Sequence, residues 1–149
     1  MTLEDRLADD MKSAMREKDE LRLSVIRMIR GQILLEKKKG AAGAEVTDDL
    51  VVGLVGSYVK RVREALEQAE SVGRADLAER ARAELAIAEG YLPAQLGDAE
   101  LEAMVRDAVA TTGATDVKGM GTVMKVVMER ARGRAEGRRV QEAVRRALA

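Results

Sequence analysis

Between Lys118 and Arg139 the chain gathers the residue types that can meet an anion. Lys118, Arg130, Arg132, Arg134, Arg138 and Arg139 are all cations. A guanidinium suits phosphate oxygens because its planar fork donates two parallel hydrogen bonds. From Lys118 to Ala149 nine basic residues face three acids, Glu129, Glu136 and Glu142. A chain that is neutral as a whole therefore carries six net positive charges here and six negative ones elsewhere. Guanidinium groups this close repel one another unless carboxylates or phosphates sit nearby. Two readings follow, a patch for an anionic partner or an ordinary solvated face.

Glycines and methionines are interleaved with these cations. Gly119 and Gly121 stand where backbone N–H groups at a helix start could meet a phosphate. Yet Gly119-Met120-Gly121-Thr122 fits neither GxxxxGK[ST] nor GxGxxG, so a nucleotide loop is unsupported. Close approach of one helix to another is the simpler role for the pair, with Gly133 shaping the turn among the arginines. Met120, Met124 and Met128 recur at i, i+4 and i+8, one face of a helix. That face is either flexible core filler or a groove for a partner.

The missing residue types narrow the chemistry further. There is no Cys and no His, hence no thiolate nucleophile, no disulfide, no imidazole base and no common zinc site. No catalytic residue, cofactor or metal is expected. The only aromatics are Tyr58 and Tyr91, too few for a base-stacking platform. RNA, if it is the partner, would be held through its phosphates and shape, with affinity falling steeply as salt rises. No apolar run approaches the ~20 residues of a membrane span and no signal segment follows Met1. A soluble, cytoplasmic protein without a membrane partner is expected.

The elements that must position these residues read as helices throughout. Thr2 with Asp5 gives a capping-box signal for a first helix ending near Lys18, with Leu3, Leu7, Met11 and Ala14/Met15 at helical spacing. Asp19 caps a second, whose apolar stripe is Val25, Ile26, Ile29, Ile33 and Leu34. Beside that stripe lie Arg22, Arg27 and Arg30, either paired with acids or part of an anion site. Lys37-Lys38-Lys39 reads as a solvated helix end, and the stretch through Ala44 as a loop. Thr47-Asp48-Asp49 opens the longest helix, running to Gly73. Within it Gly53 and Gly56 suggest close packing, since each otherwise costs about 1 kcal/mol against Ala. A fourth helix carries Leu77, Ala81, Leu85 and Ala88 to Gly90, making an antiparallel hairpin with the third. Pro93 forces Leu92 out of helical geometry and marks a division. Beyond it come a helix capped by Asp98 and closed by Gly113, one carrying Val117, Met120, Met124, Val127 and Met128, and one from Glu136-Gly137 with Val140, Val144 and Leu148. The expected class is all-α, a four-helix unit over residues 1–92 and a three-helix unit over 93–149.

Three segments occur in a specific order: Leu23-Ser24-Val25-Ile26-Arg27-Met28, Tyr91-Leu92-Pro93-Ala94-Gln95-Leu96, and Met120-Gly121 through Arg132-Gly133-Arg134-Ala135-Glu136-Gly137. Together they resemble the GatB/YqeY family over essentially the whole chain. The resemblance implies an N-terminal helical unit followed by a three-helix unit. It also implies kinship with the tail of the B subunit of the glutamine-dependent tRNA amidotransferase, a carbon–nitrogen ligase with glutamine as amido donor. That tail contacts tRNA, while amide transfer and glutamine hydrolysis lie in other domains. The resemblance thus implies a non-catalytic module binding structured RNA, tRNA above all. Lys118, Arg130, Arg132, Arg134, Arg138 and Arg139 would make the contacts. The alternative is an accessory or protein-interaction subunit of a larger amidotransferase-like enzyme, docking through the long third helix and the methionine ladder.

Overall fold

The computed structural model describes residues 1–40 and 45–149; Ala41–Ala44 of the expected loop lie outside the described residues. Among the described residues there are seven α-helices, one short 3-10 turn and no strand. The chain forms two compact units, Met1–Leu92 and Pro93–Ala149.

The first unit holds α1 (Leu3–Glu17), α2 (Glu20–Lys39), α3 (Asp48–Ser71) and α4 (Ala75–Glu89). Three of their starts are set by side chains that accept the first orphan N–H groups of the helix. The Thr2 hydroxyl accepts from the Asp5 N–H at 3.1 Å, Asp19 from Arg22 at 3.1 Å, and Thr47 from Leu50 at 3.2 Å. Asp5 returns the bond to the Thr2 N–H, completing a capping box, and these Thr2 bonds hold its carboxyl below the usual carboxylate range. Lys18 closes α1 in the left-handed region at φ 56°. Gly73, at φ +71°, makes the turn between α3 and α4, a conformation free of Cβ strain only for glycine.

Leu7, Val25, Ile26, Ile29, Val51, Val55 and Tyr58 build the core of this unit. α3 and α4 pack closely as a hairpin. In α4 the buried positions are Ala78, Ala81, Leu85 and Ala88, whereas Leu77 is exposed, one residue out of the expected register. Leu34 and Met15 also belong to the surface rather than to the stripes assigned to them. Gly53 and Gly56 mark no close approach, because a Cβ built at either meets nothing within 4 Å. Tyr91 ties the end of the unit to α1. Its hydroxyl donates to Asp10, the Arg6 guanidinium lies 4.6 Å over its ring, and Arg6 also donates to the Gly90 carbonyl at 2.9 Å.

The second unit holds α5 (Asp98–Thr112), the 3-10 turn Val117–Gly119, α6 (Met120–Ala131) and α7 (Gly137–Leu148). Its core is aliphatic: Leu101, Val105, Val123, Val127, Val140 and Val144 are each at most 3% exposed. The 3-10 turn begins where Asp116 accepts from the Lys118 N–H at 2.9 Å. The N-cap of α5 is Gly97, so Asp98 is its first helical residue rather than the cap. No buried polar or charged side chain occurs among the described residues, so every charge must be accommodated at the surface.

Candidate functional site

Ala131 ends α6, and the chain then turns through two successive left-handed residues, Arg132 at φ 42° and Gly133 at φ +79°. The Arg132 N–H donates to the Met128 carbonyl at 3.1 Å and the Arg134 N–H to Ala131 at 3.0 Å. An L-residue in this region pays a steric cost that glycine avoids, so the turn is held by its surroundings. Those surroundings are supplied by Gln95 and Leu96. The Gln95 amide donates to the Gly133 carbonyl at 2.9 Å, and the Leu96 N–H to the Arg134 carbonyl at 2.7 Å. Arg139, in the first turn of α7, donates to the Leu96 carbonyl at 2.9 Å and to Asp98 at 3.0 Å. Both backbone groups of buried Leu96 are thus satisfied by the α6–α7 corner. Two segments that were only a sequence pattern, Pro93–Leu96 and Gly133–Gly137, are one physical lock.

The expected cations fall into three groups. Arg139 is bound to the fold, its guanidinium one-third exposed and its charge set against Asp98. Arg132 and Arg138 are exposed, yet each has a partner within the chain. Lys118, Arg130 and Arg134 have no ion-pair partner among the described residues, nor do Lys125, Arg145 and Arg146. They do not form a single stripe. Lys125 and Arg130, five residues apart, are separated by about 140° around the α6 axis. On α7, Arg138 and Arg145 share one side, while Arg139 and Arg146 share another. Arg145 and Arg146, on the last turn of α7, were not among the expected contacts; the +6 charge count of the segment was the signal that included them.

The glycines and methionines also divide. A Cβ on Gly119 would lie 2.6 Å from the Ala114 Cβ, so this residue packs against the α5–α6 connection. Gly121 has open space at the same test and is not a packing glycine. Met120 and Met124 lean on the aliphatic core, whereas Met128 is 39% exposed. Val117, expected in the same stripe, is exposed too. The buried face of α6 is instead Val123, Val127 and Ala131. No large apolar side chain of α3 is exposed.

Of the arginines on α2, Arg22 pairs with Asp10 at 3.5 Å and Glu17 at 3.3 Å. Arg27 and Arg30 have no carboxylate partner among the described residues.

Among the described residues these features define an all-helical protein, whose C-terminal unit has an aliphatic core and leaves several arginines and lysines without an ion-pair partner. Among the described residues, no helix is long and apolar enough to cross a membrane. The family model described as Yqey-like protein matches residues 4–148, and the chain belongs to that family. It is similar to the "Altered inheritance of mitochondria protein 41, mitochondrial" of Pyrenophora tritici-repentis (strain Pt-1C-BFP). The two are 32% identical over 134 residues, covering 87% of this chain and 71% of that protein.

Proposed function

We propose that this chain is a non-catalytic helical module whose C-terminal three-helix unit binds structured RNA, with tRNA as the favoured ligand. The observation that carries the reading is the run of cations without carboxylate partners in a segment, Lys118 to Ala149, that carries six net positive charges. The first unit also holds unpaired cations, Arg27 and Arg30 among them, but there Arg22, Lys37, Arg63, Arg74, Arg80 and Arg82 meet carboxylates. In the second, Lys118, Lys125, Arg130, Arg134, Arg145 and Arg146 meet none among the described residues. Surface charges left without partners cost little in water, but they present the field that an anionic polymer neutralises. Resemblance to the amidotransferase tail points the same way. Arg139 contributes to this surface indirectly, by holding the corner that carries Arg132 and Arg134.

The test is a filter-binding titration of total tRNA at two salt concentrations, comparing the native chain with Arg130→Ala/Arg145→Ala/Arg146→Ala. Each lost phosphate contact should flatten the slope of log affinity against log salt by about one unit. Binding that is not saturable at low salt, or a slope identical in the variant, rejects the reading.

A further inference from the structure

A groove of about 320 Å³ lies between α1 and α2 in the first unit, and none of the cations discussed for RNA lines it. Its α1 wall includes Glu4 and Met11. Met15, four residues after Met11 and 52% exposed, continues that stripe. The α2 wall carries Arg27, Arg30, Leu34 and Lys37, with Gly31 between them. A Cβ at Gly31 would meet nothing within 4 Å, so the hollow there is open to an incoming backbone.

Two features of α2 have no role in its own unit. The first is apolar. Val25, Ile26, Ile29 and Ile33 face the core, yet Met28, Leu34 and Leu35 are 49%, 54% and 50% exposed. Leu34 and Gly31 lie on the groove side of that exposed face, and Met28 and Leu35 lie further round the helix, outside the groove. The second is electrostatic. Arg27 is exposed with no carboxylate partner among the described residues. Arg30 is half-buried, and its guanidinium reaches only the Met11 sulfur, at 2.9 Å. A thioether is a weak acceptor for a five-donor cation, and it leaves the charge uncompensated. Lys37 is held by Glu4 at 2.8 Å, and Lys38 lies exposed beyond it.

We propose that the α1–α2 groove docks an acidic amphipathic helix of a partner protein. Its apolar residues, spaced three and four apart, would cover Met11, Gly31 and Leu34, and its carboxylates would meet Arg27 and Arg30 in the wall and Lys38 at its end. From Arg27 to Lys37 the helix rises about 15 Å, just under three turns. Met11 on the α1 wall lets the groove adjust to the occupant. Charge complementarity chooses among occupants. A phosphate backbone would satisfy the cations but leave Leu34 and Met11 wet, and no aromatic lines the groove to stack a base. A flat anionic membrane would meet Glu4 in the wall and could not fill the concavity at Gly31. The proposal does not depend on the RNA reading, because it uses none of the same residues.

The test is selection of a displayed library of random 16-residue peptides against the full chain, with Leu34→Glu and Arg27→Glu as counter-targets. Both substitutions are at exposed positions, and far-UV circular dichroism confirms that the variants remain folded. The expected result is enrichment of sequences with Leu, Ile or Met at three- and four-residue spacing and acids in excess of bases. Binding of these should fall at least tenfold on either variant. Enriched sequences that are basic or unpatterned, or that bind both variants as well as the native chain, overturn the proposal. So does competition by tRNA that is lost in Arg27→Glu, which would assign the groove to nucleic acid. A dimer in sedimentation that Leu34→Glu dissociates would assign it to a second copy and equally overturn it.

Discussion

Replacing Arg139 by alanine separates a cation that builds the fold from one that waits for a ligand. Its guanidinium bridges the Leu96 carbonyl at 2.9 Å and the Asp98 carboxylate at 3.0 Å. The two bonds are unequal. Asp98 is 92% exposed, so that pair contributes at most about 1 kcal/mol and is screened by salt. The Leu96 carbonyl belongs to a residue only 5% exposed, and a charge-assisted bond to such a group is worth about 1.5–3 kcal/mol. Arg139→Ala should therefore destabilise the second unit by about 2 kcal/mol, and Asp98→Ala by less than about 1 kcal/mol. Hydrogen exchange at the Leu96 amide reads the effect locally, because that N–H donates to Arg134 at 2.7 Å and reports whether the corner is closed. Faster exchange in Arg139→Ala, with Asp98→Ala near native, is the expected pattern. Unchanged Leu96 protection, or equal effects of the two alanines, would refute the reasoning.

Two further sets of variants test the rest of the fold. Gly53→Ala and Gly56→Ala should each stabilise the chain by about 0.5–1 kcal/mol in urea unfolding, since both sit inside α3 with open space at Cβ. Gly119→Ala should cost about 1–3 kcal/mol, because its Cβ would fall 2.6 Å from that of Ala114. At high pH the telling residue is Tyr91. Burial first, then its bond to Asp10 and the charge on that carboxylate, raise its phenol above the ordinary value of 10.0. A phenol with a raised folded pKa adds stability that is complete below the unfolded value and is lost as pH climbs past it. Unfolding titrations should show stability falling above about pH 10, less steeply in Tyr91→Phe; identical slopes would count against the Asp10 contact.

What the sequence made legible follows local physics. Thr2, Asp19, Thr47, Gly73 and Gly113 stand at helix ends as their side chains or their lack of Cβ require. Each signal depends on residues within one turn, so sequence alone carries it. Burial was less legible because these helices are rich in alanine. In α4 the small residues make the close contacts, and Ala78 is buried while Leu77 next to it is exposed. Leu34 and Met15 misled for a related reason: an apolar side chain implies burial only where a neighbour covers it, and among the described residues these two are left about half exposed. The role of Arg139 could not be read at all. It contacts Leu96 from 43 positions away, and nothing in a run of arginines distinguishes the one that turns inward.

The placement of the α7 arginines is where fold and proposed function meet. A helix start carries partial positive charge and favours acids, worth about 0.3–1 kcal/mol each; a cation there costs a comparable amount. α7 has no acid in its first turn but has Arg138 and Arg139, and Glu136 at its N-cap makes no capping bond. For Arg139 the Leu96 and Asp98 bonds more than offset that cost, so its position is explained by stability alone. Arg145 and Arg146 sit at the opposite end, where the dipole favours cations, and the fold accepts them without strain. Stability thus explains one arginine by its contacts and permits two others, but it asks for none of the cations that lack a partner. Under the RNA reading a phosphate polymer would neutralise those, and α6 presents Lys125 and Arg130 at differing angles about its axis. Under the RNA reading this spread favours a ligand with curvature, one that reaches more than one side of the unit, over a straight strand lying along a single stripe.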